Sequence, residues 1–576
     1  MKMVIKNLLH KPFRFVRFYF DDRFILIVLG ALVGTCSGLA SVALNRALEA
    51  LSFQLESFHA LWWGIFLPAI GAALSFLFLE KVVHEGAGHG VPEVVYSVSR
   101  RGGLIRFRSA YSRLVSSWLT IGSGGSAGPE APVVISGASI GSNIAKVFYL
   151  NERQRVVLVG CGTAGALAGI FNAPIAGMVF TIEIIMGDYS VIDIVPIAVA
   201  SVAGAQVSRF FRGNQIQFTH LTFTLDMTSI LLSVGLAVVA AVISILLTRC
   251  LVGSHELAGK FRFPMWMKAA AGGCLVGIIG FVRPEVLGEG YHLIQKMVEG
   301  GFPPGLLLVT LLVAGKIIAT SLTLGWGGSG GIFAPCLVIG SFTGLMFYRC
   351  IMLLWPGLTS VNEGCFALLG MSGLVSGILQ APLTGIFLIV EITGGYQTIL
   401  PLIIVSAIST TLSHAFEPAS YYLRDLILSG QYIRSRTDAR VLADLSIREL
   451  VETDCIPVRP DMTLGDFLKV VRRSHRNYFP VIDEKSGEFV GMIHMDDVRP
   501  YLFDPLLHDT VFLEQIMRTE LDTVDLDDEL ADVLDMMDAK GLFSMPVVSG
   551  NRFVGMISKA TLLDRYRYEL MVQTHL

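Results

Sequence analysis

Apolar runs with little or no charge recur through the first three quarters of the chain, at roughly 24–48, 62–80, 114–149, 155–182, 190–208, 228–248, 267–282, 303–323 and 331–413. A helix needs about 20 residues to cross a hydrocarbon core of about 30 Å, so several of these runs predict plain spans. Others are too short, or too rich in glycine and proline, to be unbroken. Broken helices are tolerated in a membrane where their backbone lines a cavity or packs on protein. From about residue 437 the texture changes: charges become frequent, apolar runs shorten, and strand-like and helix-like periods alternate. That change predicts a soluble α/β domain of about 140 residues behind a polytopic, all-α membrane part.

Composition agrees with the pattern. Of the 576 residues 53% are hydrophobic and 16% charged, against about 25% charged in a soluble domain. Residues 1–23 carry Lys2, Lys6, Lys11, Arg14, Arg17 and Arg23, a basic end that the positive-inside rule assigns to the cytoplasm. An amphipathic helix on the inner leaflet and an ordinary basic flank both fit it. The run that follows is too long for a signal-peptide core and lacks a small-residue exit, so no cleavage is expected. Eight cysteines are scattered without a C-x-x-C pair, which predicts neither a zinc site nor a disulfide frame. No metal and no nucleic-acid partner is expected. The net charge of −3 averages two unlike parts and carries no information on partners.

The membrane part repeats itself. "IGSGGSAGPEAPVVISGASIG" (121–141) lies over "LGWGGSGGIFAPCLVIGSFTG" (324–344) without a gap, nine of 21 positions being identical. "GTAGALAGIFNAPIAGMVFTIE" (162–183) lies over "GMSGLVSGILQAPLTGIFLIVE" (370–391) with eight of 22, including Pro174/Pro382 and Glu183/Glu391. Two ungapped matches in one order, at offsets of 203 and 208, indicate a duplicated unit spanning about 24–220 and 228–430. Interrupted segments in corresponding places of two halves point to a substrate site in a transporter. Glycine allows a sharp turn, proline suits the first turn of a helix, and the new helix starts inside the membrane. Its unbonded N–H groups and positive dipole end favour an anion. One carboxylate, Glu130, sits in the first of these stretches and is a functional candidate by its position alone.

The tail holds a second repeat. "NYFPVIDEKSGEFVGMIHMDDV" (477–498) resembles "SMPVVSGNRFVGMISKATL" (544–562), each reading as strand, turn, strand and helix.

With "GHGVPE" (88–93), "GPEAP" (128–132), "GGIFAP" (330–335) and "ASYYLRDL" (419–426) in this order, the chain resembles the CLC family of chloride channels and chloride/proton exchangers, followed by a CBS domain pair. The resemblance implies a CLC-type inverted repeat of broken, tilted helices and a homodimer with one anion path per protomer. It implies domains at 1–23 (basic helix), 24–430 (transmembrane), 437–505 (first CBS module) and 506–576 (second). It further implies a multi-pass protein of the cell's inner (plasma) membrane, in the lipid bilayer, with the N-terminus and the CBS tail cytoplasmic. By similarity, Glu130 is the gate and proton acceptor, a carboxylate that occupies an anion position when ionised and leaves it when protonated. The anion-binding residues carried over are His89, Gly90, Ile332, Phe333 and Tyr422. The loops lining the path hold Gly88, Val91, Pro92, Gly128, Pro129, Ala131, Pro132, Gly331, Ala334 and Pro335.

Four departures matter. His89 stands where the family has a serine hydroxyl, which opens the anion selectivity. Pro129 replaces a basic residue, and without that positive neighbour gating is expected at higher pH than in a relative that has it. Tyr422 is the first choice for the tyrosine closing the inner side, with Tyr421 its rival. Ile184 replaces an inward-facing acid common among exchangers, and isoleucine cannot relay a proton. Passive chloride conduction is therefore the first expectation and chloride/proton exchange the alternative.

A G-x-S-x-G match at Gly124–Gly128 raises a serine hydrolase as a distant alternative. The same pattern recurs at Ser329 with no strand before either copy, so no enzyme is expected. In the tail, a family hydroxyl-and-Asp motif for adenine nucleotides survives only in halves, Asp497 in the first module and Ser558 in the second. No cofactor is expected; an adenine nucleotide would use those two residues, and a coupling or dimer-stabilising role fits the damaged motifs better.

Overall fold

The computed structural model describes residues 22–575, apart from 60, 86–89, 188–190, 214–226, 300, 303–304, 357–361, 430–444, 485 and 529. The basic stretch 1–21, Gly88 and His89 therefore lie outside the described residues. The chain forms two compact units, Met1–Tyr432 and Ile433–Leu576.

Helices of the first unit are α1 (Asp22–His59), α2 (Leu67–Leu77), α3 (Val91–Arg100), α4 (Ser109–Gly122), α5 (Glu130–Val147), α6 (Glu152–Phe171), α7 (Pro174–Phe180), α8 (Val191–Arg212) and α9 (Met227–Lys260). They continue with α10 (Met265–Val282), α11 (Tyr291–Val298), α12 (Leu306–Gly325), α13 (Phe333–Leu354), α14 (Glu363–Leu379), α15 (Pro382–Thr393), α16 (Ile399–Phe416) and α17 (Tyr421–Leu428). Among the described residues nine helical stretches are long and apolar enough to cross a membrane. The protein is an integral, multi-pass membrane protein. The run 114–149 is broken into α4 and α5, and the run 331–413 into α13 to α16, as their glycines and prolines predict.

The duplication is visible in the backbone angles. Gly124 and Gly327, 203 residues apart, have φ of 105° and 104°. Pro129 and Ile332 cap their helices at φ/ψ of −79°/−10° and −84°/−13°. Asn172 and Gln380, 208 apart, end α6 and α14 in the left-handed region at φ 57° and 53°, and each is followed by an alanine and then a proline that opens the next helix. Identical glycines thus mark identical turns.

Helix packing repeats as well. A Cβ on Gly137 would lie 2.1 Å from the Gly162 carbonyl oxygen, and one on Gly340 2.6 Å from that of Gly370. The crossings of α5 on α6 and of α13 on α14 therefore bring backbone to backbone, as small residues permit between helices in lipid.

In the second unit β1 (Tyr478–Ile482) pairs antiparallel with β2 (Phe489–His494). A second sheet holds β3 (Val524–Asp525), β4 (Ser544–Ser549) and β5 (Arg552–Ser558) in the order 3-4-5. Pro480 faces Met492 as Pro546 faces Met556, and each hairpin carries a bulge just after, at Val481/Ile482 and Val547/Val548. The shared "VGMI" strands are therefore equivalent. Each module has its own core, one around Phe467 and Phe479, the other around Met537 and Val547.

Candidate functional site

The two chain breaks, 123–129 and 326–332, meet each other. The Gly128 N–H donates to the Gly331 carbonyl at 2.8 Å, and the Gly331 N–H returns a bond to Gly128 at 2.7 Å. Flanking this pair, the Ser126 amide donates to Thr323 Oγ1 at 3.1 Å and the Ser329 amide to Thr120 Oγ1 at 3.2 Å. Helices α5 and α13 start from this crossing. Pro132 and Pro335 sit at the third residue of each, where their missing N–H is one the helix leaves unbonded anyway. The serines of the two G-x-S-x-G matches serve the crossing: Ser126 Oγ bonds Thr320 Oγ1 at 2.9 Å and Ser329 Oγ bonds Ser116 Oγ at 2.7 Å.

Glu130, 2% exposed, is the first residue of α5. Its Oε2 accepts the Ala334 N–H at 3.3 Å, and its Oε1 accepts a hydrogen bond from the Tyr291 hydroxyl. The carboxylate thus rests on the N-terminus of the opposite repeat's helix, where orphan amides and the helix dipole attract negative charge. Gly128 makes the room: a Cβ there would sit 2.0 Å from Glu130 Oε2. Among the expected anion contacts, Ile332 caps α13 and Phe333 opens it, both 1% exposed. The amide that holds the carboxylate is the next one along, that of Ala334.

Gly90 caps α3 at φ 77°, ψ −75°, a conformation that glycine tolerates. A Cβ on it would lie 2.8 Å from the Ala131 carbonyl oxygen, so the start of α3 abuts that of α5. Val91 and Pro92 form the first turn of α3. Tyr422 is 2% exposed and shares a core cluster with Ile332 and Phe333; Tyr421 is partly buried and packs against that cluster, its ring 6.0 Å from that of Tyr422.

Tyr291, Glu289 and Lys316 escaped the sequence reading. Tyr291 lines a cavity of about 1050 Å³ together with Glu49, Arg212, Glu289 and His292. Glu130 is absent from the lining, so Tyr291 links the cavity wall to Glu130. Fully buried Lys316 donates its ammonium protons to the carbonyls of Val286 (3.0 Å), Gly288 (2.8 Å) and Leu287 (3.4 Å). The available signals were "GEGYH" (288–292), another acid among glycines, and a single lysine in an apolar run.

Glu183 and Glu391 perform reciprocal work. Glu183 accepts from the amides of Leu383 (3.1 Å) and Thr384 (2.7 Å) and from the Thr384 hydroxyl (2.7 Å), at the start of α15. Glu391 accepts from the amides of Ile175 (2.9 Å) and Ala176 (2.7 Å), at the start of α7. Each acid caps the matching helix of the other repeat, and neighbouring Ile184 is buried at 8% exposure.

Residues 71–414 match the family model described as voltage gated chloride channel, and residues 447–504 and 513–568 each match the CBS domain. The protein belongs to the voltage-gated chloride channel (CLC) family. It is 30% identical over 456 residues to the H(+)/Cl(-) exchange transporter ClcA of Vibrio cholerae, covering 76% of this chain and 93% of that one. To the transporter of the same name from Salmonella arizonae it is 28% identical, over 75% and 92%. A slow cyanobacterial Cl-/H+ antiporter shares the fold at a TM-score of 0.64, with 24% identity over 71% of this chain and 98% of that one. A eukaryotic CLC transporter does so at 0.62, with 18% identity over 94% and 99%.

In the CBS pair of this CLC chain both residues a nucleotide would use have partners. Asp497 is held by the Arg518 guanidinium through two bonds of 2.6 and 2.7 Å. Ser558 Oγ donates to Glu452 Oε1 at 2.7 Å, and the Thr561 hydroxyl donates to the same oxygen. Arg476 pairs with the other Glu452 oxygen.

The reciprocal caps yield a stability prediction. Glu183→Ala and Glu391→Ala each leave two amides without a charged partner, a loss of roughly 1.5–3 kcal/mol. Thermal unfolding in detergent should show similar drops for both variants; a drop in only one would contradict the shared role.

Proposed function

We propose that this protein carries chloride across the membrane along a path within each protomer, with Glu130 as the gate. The observation that carries this reading is the Glu130 carboxylate lodged on the Ala334 amide at the N-terminus of α13. A carboxylate there is an anion tethered to the protein. A chloride ion entering the same seat has to displace it, and protonation, which removes the charge, releases it. Ile332, Phe333 and Gly90 border the seat, and Tyr422 closes its inner side.

Two modes are supported by different observations. The exchanger names of the relatives in Vibrio cholerae and Salmonella arizonae favour chloride coupled to protons. Ile184, beside a Glu183 already committed to capping α15, favours passive conduction. The reversal potential of purified protein in bilayers under opposed chloride and proton gradients separates them. A value at the chloride Nernst potential means conduction, and a displaced value means exchange. In either mode Glu130→Gln should abolish the acid sensitivity of chloride flux in liposomes; unchanged acid sensitivity would overturn the gate.

The protein works as a homodimer in the inner membrane, with residues 1–23 and the tail in the cytoplasm. The basic flank supports that orientation. The exposed row Leu231, Val234, Val238, Val242 and Leu246 along α9 suits hydrocarbon. The CBS pair serves coupling or dimer stability: Glu452, Arg476 and Arg518 already satisfy the groups an adenine nucleotide needs. Calorimetry of the full chain with ATP, ADP and AMP should show no saturable heat, and saturable binding would overturn this assignment.

A further inference from the structure

The turn before α11 reads Gly288-Glu289-Gly290, with φ of 58° and 87° at its glycines. Lys316 lies behind the turn and holds it through three backbone carbonyls, which use all three of its protons. Among the described residues no side chain or amide hydrogen-bonds the Glu289 carboxylate, and Glu289 lines the cavity. The charged groups around it are Lys316 from α12, Arg212 from α8, Glu49 from α1 and Glu130 from α5. His292 of α11 lines the same cavity. Arg212 and Glu49 pair with each other at 3.6 Å, so neither is committed to Glu289.

A proton bound for Glu130 from this cavity meets the Tyr291 hydroxyl first. Tyr291 lines the cavity, and its hydroxyl already donates to Glu130 Oε1. The Tyr291 ring is braced edge-on by Phe171, at 6.3 Å between centroids. A hydroxyl both donates and accepts, so it can receive one proton while passing on its own.

We propose that Glu289 and Tyr291 form the route by which protons reach the gate: Glu289 takes a proton from cavity water and Tyr291 hands one on to Glu130. The reading rests on Glu130 as the gate. The step balances without electrons. The Glu289 carboxyl releases its proton through cavity water to Tyr291 Oη, and the tyrosine O–H proton moves to Glu130 Oε1. Tyrosine ends neutral, Glu289 ionised and Glu130 protonated and free to leave the Ala334 amide. Glu289 is a positioning and proton-loading residue two residues from the tyrosine it serves.

The test uses the full chain in liposomes, with chloride flux followed after an acid jump on the cavity side. Glu289→Gln should keep flux dependent on Glu130 yet slow acid activation at least about tenfold, below the usual range for a positioned acid because water offers a bypass. Glu289→Asp should restore it, and Tyr291→Phe should lose it. Acid activation at the wild-type rate in Glu289→Gln, where the hydrogen bond to Glu130 is untouched, overturns the proposal while the gate stands. An acid response surviving in Glu130→Gln overturns the gate reading itself.

Discussion

The structure depends on two helix N-termini brought face to face inside the membrane. Each leaves amides that no preceding carbonyl can satisfy, and in hydrocarbon an unsatisfied amide is costly. The amides of the breaks just before these helices are satisfied by the Gly128–Gly331 pair and by the threonines of α4 and α12, and among the helix-start amides the Glu130 carboxylate takes that of Ala334. What remains is a positive, buried seat whose occupant is attached to the chain. In the proposed gate role, a proton that neutralises this occupant frees the seat.

The same physics acts at a second pair of helix starts with a different outcome. At α7 and α15 the capping acids, Glu391 and Glu183, each accept from two amides of the other repeat. From the other repeat Glu130 accepts a single amide and one hydroxyl. Three carboxylates thus sit on helix N-termini, and Glu130 takes fewer amides from the other repeat than the two caps do, which suits the displaceable role proposed for it. The duplicated unit supplies both kinds, because its two halves interlock and the starts of α7, α13 and α15 each meet a carboxylate of the other half.

Much of this was legible in the sequence because glycine and proline encode backbone geometry directly. The matched glycines at 124 and 327 became matched left-handed turns, and the aligned prolines became first-turn prolines. Glu130 stood out because a lone acid in an apolar run has few structural uses. The contacts that complete the site were not legible. Tyr291 reaches Glu130 across 161 positions, and the tyrosine looks ordinary in an amphipathic stretch. Ala334 holds the carboxylate because of the angle at which α5 meets α13, which no residue type announces. In the tail, Ser558 carried a nucleotide signature, yet Glu452 lies 106 residues away and only the fold brings the two together.

The central claim is that the Glu130 carboxylate and a permeant anion compete for one seat on α13. Bromide anomalous diffraction from crystals of Glu130→Ala tests it most directly. The account predicts a bromide peak within hydrogen-bond reach of the Ala334 amide, where the carboxylate lay. A variant that folds and diffracts with no halide at that amide would contradict it.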